Sequence, residues 1–265
     1  MIFKFVQILI IILLIGSGEI LSMSKKKCVL FDEITPRGKK HMITTFSPSD
    51  FEVIEFGEMK HERIRVRPMY HELGFSDRSK IYGRRIIFDR LVIALEHLPK
   101  EYGLQIWDVY RPRAVQRKLF EWMKGQIRKT QPDITEDKVY DEARKYMSPP
   151  SKVGEKYCAP HLSGGAIDLT LFDVKSGKEL NMGTVFDDCT ECAHRNYFED
   201  KKKLTSEEIS IRDRRRLFTK AMETTGFASY QYEWWHFDIG NIFWSRQTEK
   251  PEVFGPLFGD REWPE

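Results

Sequence analysis

Apolar residues recur at three- and four-residue intervals from Arg84 to Leu98, which predicts a helix that Pro99 and Gly103 end. The period then changes. Gly103 to Tyr110 alternates and reads as a strand running into Arg111-Pro112. Proline is tolerated in a first helical turn, so Pro112 starts a second helix from Arg113 to about Ile127. Residues 135–147 suggest another helix, stopped by Pro149-Pro150. Ala166 to Leu171 alternates cleanly: Ile167, Leu169 and Leu171 face one way, while Ala166, Asp168 and Thr170 face the other. Ser206 to Thr224 reads as a helix with Thr205 or Ser206 as N-cap and Gly226 past its end. Tyr230 to Ile239 is aromatic-rich and strand-like, and Phe51 to Phe56 partly alternates. No internal repeat or low-complexity linker interrupts the chain. The sum is an α+β fold, a central and mostly antiparallel sheet flanked by helices.

The first residues depart from this pattern. Lys4 is the only charge before Glu19, and Phe5 to Ile15 is apolar except for Gln7, followed by Gly16-Ser17-Gly18. This is the pattern of a secretory signal peptide, with an uncleaved signal anchor as the alternative. The run is shorter than the roughly 20 apolar residues of a membrane span. The expected organisation is a signal over 1–18, an N-terminal extension over 19–60 and a folded domain over 61–265. Export to a periplasm or the exterior follows if the signal is used, and membrane contact only if it is retained.

Composition narrows the class. With 41% hydrophobic residues the chain is globular, and 265 residues suffice for a substantial core. Lys and Arg number 43 against 40 Asp and Glu, a net charge of +3. The charges are interspersed, so no nucleic-acid footprint stands out, and Lys201–Lys203 and Arg214–Arg216 read as solvated faces. Four cysteines, Cys28, Cys158, Cys189 and Cys192, allow three disulfide pairings, the simpler expectation for an exported chain. Cys189 and Cys192 form one C-x-x-C pair, which alone carries little weight for structural zinc.

Three segments carry chemistry. In His161-Leu-Ser-Gly-Gly-Ala-Ile-Asp168 a histidine precedes a flexible turn and an aspartate sits mid-strand. A carboxylate among aliphatic residues needs a partner, and a metal ion supplies one; a turn histidine and an ordinary hydrogen-bonded aspartate remain the plainer alternative. In Glu233-Trp-Trp-His236-Phe-Asp238, Glu233 and His236 can reach one site. His161, Asp168 and His236 would give catalytic zinc three ligands and an open position, with Glu233 as a base for the attacking water. Trp234, Trp235 and Phe237 form walls. In Trp107-Asp108-Val109-Tyr110-Arg111-Pro112, Arg111 stands at a strand end where it could stabilise an oxyanion, or form a structural salt bridge.

These residues resemble the D-alanyl-D-alanine dipeptidases of the zinc D-Ala-D-Ala metallopeptidase family, which share an α+β fold with the hedgehog signalling domain. The resemblance runs from about Ile64 to Trp244. It rests on Tyr110-Arg111-Pro112, the His161 to Asp168 segment, Met182-Gly-Thr-Val-Phe-Asp187 and Glu233-Trp-Trp-His236, in the family's order. It implies a hedgehog/DD-peptidase-like zinc peptidase domain over 61–265 with one zinc ion per chain on His161, Asp168 and His236. Glu233 would be the general base and Arg111 the contact to the tetrahedral intermediate. Asp187 would bind the substrate's amino group, with Tyr70 as a second contact at that end. The implied partner is a small dipeptide or a cell-wall peptide.

Two departures qualify the family pattern. Ala159-Pro160 stand where family members often carry two serines that hold the substrate carboxylate, and neither side chain can donate. The export signal also departs from members that act in the cytoplasm. The main expectation is therefore a dipeptidase for D-Ala-D-Ala or a related dipeptide. The alternatives are an exported D,D-carboxypeptidase or endopeptidase on cell-wall stem peptides and a non-catalytic binding module on the same fold.

Overall fold

The computed structural model describes residues 45–264. The segment 1–18 expected to act as a signal, Cys28 and the rest of the chain up to residue 44 lie outside the described residues. In chain order the elements are β1 (Val53–Glu55), β2 (Ile64–Val66), α1 (Met69–Glu72), β3 (Tyr82–Arg84), α2 (Arg85–Ala94), β4 (Tyr102–Asp108), α3 (Arg113–Thr130) and α4 (Glu136–Ala143). They continue with β5 (Ala166–Asp173), α5 (Tyr197–Asp200), α6 (Ser206–Thr224), β6 (Ala228–Ser229), β7 (His236–Asp238) and α7 (Ile242–Thr248). A single 3-10 turn, His161–Ser163, leads into β5.

The main sheet has the order β2-β4-β5-β7-β6. β4, β5, β7 and β6 pair antiparallel, while β2 pairs with β4 in parallel. The sheet is thus mixed, with antiparallel pairs in the majority. One face is apolar: Ile167, Leu169 and Leu171 are fully buried with Ile86, Ile87 and Leu91 of α2 and Phe218, Ala221 and Met222 of α6. Each such side chain contributes about 1.5–3 kcal/mol by leaving water, so this layer fixes the register of β5. The opposite face carries Ala166, Asp168 and Thr170, which are also buried. A strand buried on both faces cannot keep an unpaired carboxylate, so Asp168 requires partners.

A break in the β4–β5 ladder supplies some of them. Ile106 pairs with Leu169, but the next pair is Asp108 with Asp168, a shift of one residue. This β-bulge turns Asp108 away from the apolar face and onto the face of Asp168. Because Asp168 also pairs with His236 on β7, three polar side chains lie in one rung across β4, β5 and β7.

Residues 45–60, assigned from sequence to the extension, contribute to this fold. β1 pairs with β3, and Phe46 and Phe51 pack edge-on against Phe254 with centroids 5.3 and 5.2 Å away. The strand-like run Tyr230 to Ile239 is shorter than its pattern suggests. Only His236–Asp238 joins the sheet, because Trp234 N donates to Ala193 O and Arg195 N to Gln231 O, which bind the preceding residues to another loop. No disulfide includes Cys158, Cys189 or Cys192, so the disulfide expectation does not hold among the described residues. Among the described residues no helix is long and apolar enough to cross a membrane.

Candidate metal centre

The bulged rung meets the 3-10 turn at its end. Gly164 follows that turn in a left-handed conformation, φ 66°, and Gly165 lies so close to Ile239 O that a Cβ would sit 2.5 Å from it. Two glycines therefore let the chain fold back and bring His161 over Asp168. His161 Nε2 lies 3.2 Å from His236 Nδ1, His236 Nδ1 2.9 Å from Asp168 Oδ1, and His161 Nε2 3.3 Å from Asp168 Oδ2. All three side chains are buried. Donors about 2.0–2.1 Å from a tetrahedral zinc ion would stand roughly 3.3 Å apart, so the spacing suits one.

The outer nitrogens are committed elsewhere. His161 Nδ1 lies 2.8 Å from the carbonyl oxygen of Val109 and 3.2 Å from Asp108 Oδ2. His236 Nε2 lies 3.1 Å from Asp238 Oδ1, which also accepts from Asn241 Nδ2 at 2.7 Å. Protons on these outer atoms leave both inner nitrogens with lone pairs aimed at a carboxylate, an arrangement that repels itself unless a proton or a metal cation sits between them. Such outer acceptors are the usual means of orienting metal-bound histidines. The charge preference agrees. Burial pushes the Asp168 carboxyl up, but the imidazoles, His161 first, outweigh it and hold it far below the usual range. Burial opposes charge on His236 as well, yet Asp238 and Asp168 drive its pKa well above the ordinary value. The residues fit a divalent ion.

Arg111 closes one side. Its Nε donates to Asp108 Oδ2 at 2.9 Å, Nη2 to Asp168 Oδ2 at 3.0 Å and Nη1 to Gln116 Oε1 at 3.0 Å. The salt-bridge alternative is thus realised, and the guanidinium lies beside the cluster of His161, Asp168 and His236. Burial opposes its charge, but Tyr70, Asp108, Asp168 and Asp187 raise its pKa above the ordinary value. Glu233 lies beside His236, Oε2 3.8 Å from its Nδ1, with 36% of its side chain exposed. Desolvation in the pocket, with Asp168 and Asp187 adding to it against His236 and Arg111, pushes its carboxyl up to about 7.

The far end is built from loops. Tyr70 donates to Asp187 Oδ2 at 2.9 Å, and the Arg111 guanidinium lies 4.5 Å from the Tyr70 ring centroid. Asp187 adopts φ 59°, a strained conformation for a residue with a side chain. Its carboxyl is pushed up to about 7, chiefly by burial. Phe186 packs between Trp107 and Tyr70, with centroids 5.0 and 5.5 Å away, and Trp234 Nε1 donates to Thr184 Oγ1 at 2.7 Å.

The structure therefore gathers every predicted site residue. It adds Asp108, Gln116, Asp238 and Asn241, which sequence reasoning left out. Asp238 was accessible to the period-two rule, since it shares a strand face with His236. Among the described residues, His161, Asp168 and His236 are the one grouping of three or more His, Cys, Asp or Glu donors close enough for a metal, and the C-x-x-C pair forms none.

Comparison with known proteins agrees with this geometry. A family model described as D-ala-D-ala dipeptidase matches residues 84–251. A D-alanyl-D-alanine dipeptidase of Enterococcus faecalis is 30% identical over 141 residues, 52% of this chain and 62% of the relative, so the match spans less than two thirds of that protein. One from Enterococcus faecium is 31% identical over 165 residues, 60% of this chain and 73% of the relative. A third, from Synechocystis, is 26% identical over 173 residues, 60% of this chain and 68% of the relative.

Proposed function

We propose a function from one premise: the chain belongs to the family of D-Ala-D-Ala dipeptidases, whose model covers residues 84–251. The protein is a zinc-dependent dipeptidase for D-Ala-D-Ala or a related dipeptide, exported if its first residues act as a signal. The observation that carries this reading is the convergence of two histidine nitrogens and one carboxylate whose outer partners commit the inner atoms to a cation. Zinc held by His161, Asp168 and His236 would supply a Lewis acid and lower the pKa of a water to about 7.

This chain's residues do the rest. Glu233 Oε2 takes a proton from the attacking water and returns it to the leaving amine, a role suited to a carboxyl pushed up to about 7. Arg111 stays charged and is clamped by three acceptors, so it faces developing negative charge without reorganising. Asp187, with Tyr70 fixing one oxygen, binds the substrate ammonium. Trp107, Phe186 and Trp234 exclude water between the two ends. Ala159 uses its amide on Ser151 Oγ, 3.1 Å away, and offers no side-chain donor to a substrate carboxylate. The reading therefore stays at D-Ala-D-Ala or a related dipeptide.

The test is metal analysis of the purified protein with a hydrolysis assay on D-Ala-D-Ala, L-Ala-L-Ala and stem peptides. Glu233→Gln is expected to keep one zinc per chain and lose hydrolysis. Turnover near the wild-type rate by that variant would sink the mechanism.

A further inference from the structure

The segment from Phe254 to Pro264 lies beyond the family match, which ends at residue 251, yet it touches both loops that carry the centre. Leu257 N donates to Leu162 O at 2.9 Å, one residue after His161. Phe258 packs edge-on against Tyr110 with centroids 4.9 Å apart, and Tyr110 donates its hydroxyl to Glu262 O at 2.8 Å. Arg113 Nη1 donates to Gly259 O at 3.2 Å. The two loops are also joined directly, since Arg111 N donates to His161 O at 3.2 Å.

The Glu262 side chain makes the decisive contact. α3 begins just after Arg111, and the first amides of a helix have no partner within it. An N-cap side chain normally accepts from them, but the N-cap here is Pro112, which has no acceptor, and the first turn holds no acidic residue. Glu262 Oε2 accepts from Ala114 N at 3.1 Å, from 148 positions along the chain. Its negative charge also meets the positive end of an 18-residue helix. Gln116, in the same first turn, holds Arg111 Nη1, so the start of α3 sets where the guanidinium points.

We propose that Glu262 is a positioning residue: it caps α3 in place of Pro112 and so holds Arg111 in register with Asp168, while Leu257 to Trp263 clasp the arginine and His161 loops together. The inference rests on the reading of Arg111 as the contact to the transition state. In Glu262→Ala, kcat for D-Ala-D-Ala is expected to fall about fivefold to tenfold, the size of a lost cap acting on the transition state, with KM and zinc content unchanged. Glu262→Gln keeps an acceptor oxygen and restores most of kcat. In an Arg111→Ala background Glu262→Ala has no further effect.

An unchanged kcat in Glu262→Ala, or a fall of the same size with or without Arg111, overturns the proposal. Hydrogen exchange followed by NMR separates it from the dipeptidase reading. Exchange at Ala114 N and Arg111 Nε is expected to quicken in Glu262→Ala while Leu169 N, within the sheet, stays protected. If the wild-type protein cleaves no dipeptide but this difference is present, the substrate reading fails and the clasp stands. Equal exchange in both proteins overturns the clasp.

Discussion

The two ends of the candidate site are held by different physics. The metal end hangs on strand register: Asp108, Asp168 and His236 share one rung of the sheet, and the apolar layer beneath it fixes which side chains face up. The end proposed to bind the amine hangs on a one-turn helix and a turn. Tyr70 comes from a helix of one turn and Asp187 from a strained turn, and aromatic rings pack them together. Two of the three candidate donors and their neighbour Asp108 sit on the sheet, with His161 brought to them by a glycine-containing turn, while the proposed recognition of a substrate's end rests where the chain can vary. The division predicts that each end can be damaged alone.

The largest effect is expected from the loop end. Asp187→Ala removes the carboxylate proposed to bind the ammonium, and truncating one partner of a desolvated charge pair costs about 2–5 kcal/mol. The ratio kcat/KM for a free dipeptide should then fall by roughly 10²- to 10³-fold. Zinc content and the rate on an amino-blocked peptide should stay near wild type. Equal losses on both substrates would show that Asp187 supports the centre instead of reading the amine.

The converse change is smaller. Asp238 orients His236 through Nε2 and keeps a second oxygen, Oδ2, buried without a partner. Asp238→Asn preserves the shape and the accepting oxygen but removes the charge. Zinc affinity, measured by competition with a chelator, should fall about tenfold, the low end for such outer partners. KM for the dipeptide at saturating zinc should not move. A rise in KM would break the separation of the two ends.

The same division explains what the sequence disclosed. β5, α3 and α6 were legible because a clean period and capping residues act locally; Thr205 does cap α6, accepting from Glu208 N. The candidate ligands and Glu233 stood out because they lie in short segments whose residue types suit metal chemistry. Asp108 was hidden by its own pattern. Strict alternation from Leu104 and Ile106 puts it on the apolar face, and the bulge that reverses it is set by pairing with β5. The parallel pairing of β2 with β4 and the capping of α3 by Glu262 were hidden for a related reason, since each joins segments far apart in sequence. Tyr70 was reached through the family resemblance alone, and its place beside Asp187 is a tertiary fact.

The smallest predicted effect sharpens the comparison most, because it isolates one hydrogen bond. Burial pushes the Asp187 carboxyl up to about 7, with Asp168 and Asp108 adding to the rise and Arg111 and Tyr70 opposing it. Only the ionised carboxylate pairs with an ammonium. As pH falls below about 7, kcat/KM for a free dipeptide should therefore carry the loss of this group on top of the limb that Glu233, also pushed up to about 7, gives to both kcat and kcat/KM, while kcat, measured with the amine already bound, lacks the Asp187 contribution. An amino-blocked peptide has no ammonium to bind and lacks this contribution. Tyr70→Phe removes a donor that favours the ionised form, so the acidic limb for the dipeptide should move to higher pH, by less than about one unit. Profiles on dipeptide and blocked peptide, taken for both proteins, decide the matter. A limb that moves to lower pH, or moves equally for both substrates, would mean that Tyr70 acts through Arg111 and the metal end, and the loop end would lose its independence.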